Sequence, residues 1–189
     1  YWGGTSIGVE AEPIARRSGT TTFVDAGTAG PANFPGFRRH VIEPSAVRIL
    51  AYLNVSFAGI FAFSRTVMVG EASDLRLLDL NECVRVAREN RDLIVGIKVR
   101  VGRGAGGASG IAPLDMAIEV AEELGLPVMA HIDHPPPNRR EVLERLPKSG
   151  PTTDQCSCLP VRARSIRSTS VACNSRPASW RRCGSMLGR

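Results

Sequence analysis

The sequence has few aromatic residues and no long hydrophobic run. Phe, Trp and Tyr make up only 5% of its 189 residues. No apolar stretch approaches the roughly 20 residues that a membrane-spanning helix needs, so we expect no membrane association. The chain begins at Tyr1 and shows no basic segment followed by an apolar one, which is the pattern of a secretory leader. The sequence therefore predicts a cytoplasmic protein and an internal fragment of a longer one.

Acidic residues and cysteines are scarce in different parts of the chain. Residues 1–150 contain 17 basic and 17 acidic side chains, whereas residues 151–189 contain seven arginines and a single acid, Asp154. The net charge of +6 thus arises entirely in the last part. Four of the five cysteines lie there too, and Cys83 is the exception. We predict a folded domain at 1–147 and an irregular Arg/Ser/Cys-rich tail at 148–189.

Three interpretations of the tail remain open. Its cysteines do not form the paired Cys-x-x-Cys pattern of zinc modules. Its arginines, with Trp180 as the one aromatic residue, would give only non-specific phosphate contacts, so we expect no specific nucleic-acid partner. The interpretation that fits better is out-of-frame translation, because SWRRCGSML, back-translated and shifted by one nucleotide, can give the more regular peptide VLAALRLDV.

The first part of the chain alternates predicted strands and helices. Its apolar content is sufficient for one core. Periodicity predicts strands at 20–27, 47–57, 93–102 and 126–133, and helices at 9–17, 36–43, 79–90, 113–124 and 138–146. Gly19 and Gly125 should end the helices that precede them, and Asn138 and Glu141 are spaced as a capping box. This alternation indicates parallel βα units. Periodicity alone does not distinguish an open doubly wound sheet from a partial eight-stranded barrel.

The stretch LIVGIKVRVG, residues 93–102, places a lysine within an apolar strand. Alternation puts only aliphatic residues on one face, while the other face carries Lys98 and Arg100 beside two glycines. One interpretation is a solvent-facing lysine on an edge strand. The other is a barrel strand whose outer face meets helices and whose inner face carries chemistry at its C-terminal end.

His131, in PVMAHID, ends another apolar strand, where α/β proteins place catalytic and metal-binding groups. A neutral imidazole is a good zinc ligand, although a lone strand-end histidine is more often only hydrogen-bonded. Asp25 ends a strand in the same way and suits an Asx turn or a helix cap. The glycine-rich stretch 102–110 lacks a phosphate-binding pattern, so we expect a flexible connector or a mobile active-site loop.

Lys98 has two chemical interpretations. A desolvated amine could form a Schiff base, as in a lysine-dependent lyase, and Arg100 would help to lower its pKa. Alternatively, the amine could be carboxylated, and the resulting carbamate could bridge two metal ions among histidines.

Several motifs resemble one family when they are taken in order. They are YWGGTSIGVE, ARRSGTTTFVDAGTAGPANFPGF, RILAYLNVSFAGIFA, VGIKVRVG and LPVMAHID. Over residues 1–147 the sequence resembles the amidohydrolase superfamily, in particular its deacetylase-like, dihydroorotase-related branch. The resemblance implies a partial (β/α)₈ TIM barrel of about four βα units. It also implies a metal-dependent hydrolase of amide, cyclic amide or ester bonds, with one or two divalent metal ions, usually zinc.

The resemblance also implies roles for individual residues. Lys98 matches the carboxylated, metal-bridging lysine, and His131 matches a metal-binding histidine. Four residues at strand ends could line the pocket for a small-molecule substrate: Asn54, Arg100, Thr28 and Gly30.

The same resemblance implies elements that this sequence lacks. The family has a His-x-His pair before the position of Tyr1, and a further histidine and an aspartate on later strands. We therefore expect this chain to be inactive, and the two open edges of a half barrel leave a homo-oligomer open. Two alternatives of other classes are a Schiff-base lyase and a non-catalytic, basic-tailed binding protein.

Overall fold

The computed structural model describes residues 7–64 and 66–146, and the backbone of 158–160. Within these ranges the strands are β1 (Thr22–Asp25), β2 (Arg48–Asn54), β3 (Ala62–Phe63), β4 (Met68–Val69), β5 (Ile94–Val101), β6 (Val128–Ile132) and β7 (Cys158–Pro160). The α-helices are α1 (Ala11–Ser18), α2 (Phe34–Phe37), α3 (Leu80–Glu89), α4 (Arg103–Gly106), α5 (Ala112–Leu124) and α6 (Arg139–Arg145). The predicted tail, and with it the predicted domain boundary, lies outside this description except for β7.

The main sheet has the strand order β1-β2-β5-β6-β7. The first four of these strands pair in parallel and curl into half of a barrel, and β7 pairs with β6 in the antiparallel sense. The predicted α/β fold, a partial TIM barrel of about four βα units, is confirmed. Because parallel strands share one direction, their C-terminal ends lie together at one edge of the sheet.

The apolar face of β5 lies in the core, as its alternation predicts. Ile97, Val99 and Val101 are completely buried in one cluster with side chains of the helices. The helical members that are also buried include Val86 and Ala87 of α3 and Leu114, Ala117 and Val120 of α5. Burying a Val, Ile or Leu side chain contributes roughly 1.5–3 kcal/mol, so this layer is a main source of stability.

Capping residues define the ends of the helices, and those at Gly19, Gly125 and Asn138 were predicted. Gly19 and Gly125 end α1 and α5 in the left-handed conformation, with φ of 71° and 65°. The carboxylate of Asp79 accepts a hydrogen bond of 3.0 Å from the backbone N–H of Glu82 at the start of α3. Asn138 caps α6 in the same way, accepting from the N–H of Glu141 at 2.9 Å.

The structure adds to the sequence-based prediction in three segments. The helix predicted at 36–43 is present, but it begins earlier, as α2, and continues as a π-helix, Arg38–Ile42. The glycine-rich stretch, predicted as a mobile active-site loop or a flexible connector, contains α4 and a 3₁₀ turn, Gly107–Ser109. Asp133 helps to fix it, because its carboxylate accepts a hydrogen bond of 3.1 Å from the N–H of Gly104. The third segment is the β3–β4 hairpin, which was not predicted.

The segment that contains the β3–β4 hairpin carries most of the exposed apolar side chains. Eight large hydrophobic side chains are exposed in the described part of the chain, and six of them lie between residues 57 and 75. They are Phe57, Phe61, Val67, Met68, Val69 and Leu75. The hairpin follows β2, so it stands at the edge of the sheet where the parallel strands end.

No helix within the described ranges could cross a membrane, since the longest, α5, has 13 residues.

Candidate active site

Lys98 and Arg100 lie on the inner face of β5, and both are buried. Lys98 is 2% exposed and Arg100 is 6% exposed. Strand β5 lies between β2 and β6, so the interpretation of Lys98 as a solvent-facing lysine on an edge strand is wrong. Buried cations are rare unless their charge is compensated, so the groups around these two side chains determine what they can do.

The stem of Lys98 rests on the backbone of Gly27, in the turn after β1. A Cβ atom on Gly27 would lie 2.2 Å from Cγ and 2.3 Å from Cβ of Lys98. Gly27 also has a φ of 89°, a conformation that other residues rarely adopt. A glycine at this position therefore gives the lysine stem its path along the inner face.

His131 is on the inner face of the neighbouring strand. In the β5–β6 register, His131 lies opposite Arg100, and Met129 lies opposite Lys98. Burial, and then the positive charges of Lys98 and Arg100, lower the pKa of His131 to about 4. The imidazole is thus neutral at pH 7, which is the state in which a ring nitrogen can bind a metal.

The donor set fits a divalent metal in part. The neutral imidazole of His131 is a suitable ligand, whereas the amine of Lys98 becomes an anionic ligand only after carboxylation. Within the described ranges, no group of three or more His, Cys, Asp or Glu residues is placed to hold a metal ion. The inner face therefore brings together the two residues that the resemblance assigns to the metal, and these two do not complete a coordination sphere.

Arg100 has two partners that the sequence did not reveal. Its Nη2 atom donates a short hydrogen bond to Oε2 of Glu71, which is 1% exposed. Its Cζ atom lies 4.5 Å from the centre of the Phe63 ring, a cation–π distance. Glu71 is on no predicted strand or helix. The only signal for it was an acidic residue between small neighbours, Gly70 and Ala72.

The other predicted pocket residues make hydrogen bonds that hold the turn after β1. Asn54 is completely buried, donates from Nδ2 to the carbonyl of Gly27 at 3.0 Å, and accepts at Oδ1 from the N–H of Ser56 at 2.9 Å. Thr28 donates from Oγ1 to Oδ2 of Asp25 at 2.7 Å. The N–H of Gly30 donates to Oδ1 of Asn33, a hydrogen bond of 2.8 Å.

Asp25 forms the Asx-type turn that its position indicated. Its Oδ1 atom accepts from the N–H groups of Gly27, at 3.0 Å, and Thr28, at 2.7 Å. The carboxylate and Asn54 therefore hold the same short segment from two sides, and that segment supports Lys98.

Comparisons with known proteins show which proteins this chain is similar to. No family model matches the chain. A deacetylase of Agrobacterium fabrum is 41% identical over 146 residues, which are 77% of this chain and 35% of that protein. A deacetylase of Brucella anthropi is also 41% identical over 146 residues, 77% of this chain and 36% of that protein. The chain thus spans about a third of the length of the curated relatives that it matches.

Solved structures also match most of this chain and only part of their own length. The crystal structure of a dihydroorotase matches with a TM-score of 0.71 and 41% identity, covering 79% of this chain and 38% of that one. An adenine deaminase matches with a TM-score of 0.68 and 29% identity, covering 75% and 37%. Both structures are of amidohydrolase superfamily members. The half barrel matches about a third of the length of these α/β-barrel structures. The chain belongs to the amidohydrolase superfamily, and the curated relatives named above are deacetylases.

These relatives favour a hydrolase of the amidohydrolase type. They give no support to the Schiff-base lyase or to the basic-tailed binding protein. The expected inactivity of this chain stays a prediction.

Proposed function

We propose that this chain carries the Lys98–His131 half of the active site of a metal-dependent hydrolase, which cleaves amide, cyclic amide or ester bonds in a small-molecule substrate. In this proposal Lys98, carboxylated on its amine, and His131 would hold the metal, which would be a divalent ion, zinc first among the candidates. The observation that carries the proposal is the placement of Lys98 and a neutral His131 on one inner face, in a chain 41% identical to deacetylases.

Each proposed role follows from what surrounds the residue. Burial keeps a lone pair on His131 available at neutral pH, because protonation is disfavoured there. The turn at Gly27, held by Asp25 and Asn54, fixes the direction in which the Lys98 stem runs. A lysine amine that is neutral can combine with CO₂ to form a carbamate with loss of a proton. When bound, a divalent metal lowers the pKa of a water molecule and polarises a carbonyl oxygen.

The remaining predicted pocket residues have two kinds of role in this proposal. Arg100 lies one inner-face position beyond Lys98 towards the C-terminal edge, where a substrate would enter a barrel of this kind. Asn54, Thr28 and Gly30 support the turn beneath Lys98, so they act on a substrate through the shape of the pocket floor.

Carboxylation of Lys98 can be tested because the chain contains few lysines. Lys98 and Lys148 are the only two, so carboxylation can be assigned with two variants. The purified protein is equilibrated with ¹³C-bicarbonate and zinc, the carbamate carbon is observed by NMR, and bound zinc is measured after dialysis. We expect a carbamate signal and bound zinc in the wild type and in Lys148→Ala, and loss of both in Lys98→Ala. His131→Ala should lose zinc.

Retention of stoichiometric zinc in Lys98→Ala would contradict the proposal. A carbamate signal that disappears only in Lys148→Ala would contradict it as well.

A further inference from the structure

The ion pair between Arg100 and Glu71 is buried and also links two parts of the chain. Glu71 follows the β3–β4 hairpin, and Arg100 is near the end of β5. Phe63, on β3, covers the guanidinium from the hairpin side. The backbone adds one more link, because the N–H of Ala72 donates to the carbonyl of Ala105 at 3.0 Å. Together these contacts connect the hairpin and the residues that follow it to the C-terminal end of β5 and to α4.

Burying such a pair carries a cost. The desolvation of two charges offsets most of their attraction, so a buried ion pair adds little net stability, whereas removing one partner is strongly destabilising. Moreover, the pair is incompletely hydrogen-bonded: Nε of Arg100 and Oε1 of Glu71 are buried and lack a hydrogen-bond partner in the described part of the protein. The Arg100–Glu71 pair thus adds little net stability and retains unsatisfied polar groups. Its presence therefore needs an explanation other than overall stability.

We propose that Glu71 and Phe63 are positioning residues, which hold the Arg100 guanidinium in one place beside Lys98 and His131 and thereby fasten the β3–β4 hairpin to the C-terminal end of β5. The carboxylate of Glu71 also neutralises Arg100. Since Arg100 lies opposite His131 in the sheet register, its uncompensated charge would repel a cation bound there. This second consequence depends on the metal site proposed above, and the fastening of the hairpin does not.

Hydrogen exchange tests the fastening. The reporter is the Ala72 amide, and the reference is the Ile97 amide, which donates to the carbonyl of Pro127 in the core at 2.9 Å. In Glu71→Gln we expect exchange at Ala72 about 100-fold faster or more, with Ile97 nearly unchanged, because an unpaired buried charge opens the hairpin locally. Phe63→Leu keeps the apolar contact and removes the ring, so exchange should accelerate about fivefold.

Two further variants serve as controls. Asp74→Asn changes an exposed ion pair with Arg76 in the adjacent segment and should leave exchange at Ala72 within about twofold. The double variant Glu71→Leu/Arg100→Met replaces both charges with apolar groups and should restore protection of Ala72. If Glu71→Gln does not fold, Phe63→Leu and the double variant still decide the question.

Zinc affinity supplies a second measurement. It would not change if the Arg100–Glu71 pair only stabilised the fold. We expect Glu71→Gln to bind zinc about tenfold more weakly, and the double variant to recover the affinity, because the repelling charge is gone. Unchanged exchange at Ala72 in folded Glu71→Gln would overturn the proposal, and so would equal acceleration at Ala72 and Ile97. A wild type that binds no zinc would count against the proposed function, while the exchange result alone would then decide the fastening.

Discussion

Replacing Gly27 by alanine should disturb Lys98 directly. The added Cβ atom would lie 2.2 Å from Cγ of Lys98, far inside van der Waals contact, and the residue would keep a φ of 89° that alanine avoids. The lysine stem, already buried against the sheet, would have to move. We therefore expect Gly27→Ala to lower the stability and to displace the Lys98 amine, which is the proposed site of carboxylation.

The magnitude follows from comparison with Gly19, which is also left-handed but has open space around it. Its φ is 71°, and a Cβ there would meet no atom within 4 Å. Gly19→Ala should therefore show only the backbone cost, about 1 kcal/mol of the free energy of unfolding. Gly27→Ala adds overpacking, which costs about 1–3 kcal/mol in a packed interior, so its total should be about 2–4 kcal/mol.

Urea unfolding followed by circular dichroism measures both free energies. The same pair of substitutions in a Lys98→Gly background isolates the clash, because that background removes all three lysine atoms that the new Cβ would meet. There, Gly27→Ala should cost no more than Gly19→Ala. Equal costs for the two substitutions in the wild-type background would refute the reasoning. So would full zinc binding by Gly27→Ala.

Three further predictions concern the framework around the site. Burial, assisted by the charge of Asp79, raises the pKa of Cys83 from 9.0 to about 12, so peptide-resolved alkylation at pH 8 should leave it unmodified until the protein unfolds. Because the unfolded thiol ionises first, stability should fall between pH 9 and 12 in the wild type, and this contribution should be absent in Cys83→Ala. Asp79→Ala removes the cap of α3 and should lower the free energy of unfolding by about 1 kcal/mol in the same urea assay. Ile97→Ala, at a completely buried position, should lower it by about 2–5 kcal/mol.

The parts of the fold that follow from local chemistry could be predicted from the sequence. The β5 strand was recognised because its aliphatic residues alternate, and the ends of α1 and α5 were recognised because glycines stop them. The β3–β4 hairpin was not predicted. Its strands have two residues each, too few for alternation to be detected, and they depend on contacts with β5 and the loop after it.

Some residues of the site could likewise be predicted from the sequence, and others could not. Lys98 and His131 stood out because each interrupts an apolar strand, and the structure places both on one inner face. Glu71 could not be found in this manner, since its meaning comes from Arg100, 29 residues away in sequence. Asn54 and Thr28 were predicted as pocket residues from their positions at strand ends. Only the structure shows that their side chains bond to the turn that supports Lys98.

The apolar hairpin has a practical consequence for work on this protein. Environment-sensitive dyes bind exposed hydrophobic side chains, and six of the large ones lie between residues 57 and 75, around the hairpin. A dye-based thermal melt should therefore begin with high fluorescence and show a shallow transition, even for well-folded protein. A charged substitution at Val67 or Met68, both at least half exposed, should lower that starting signal without changing the melting temperature measured by circular dichroism.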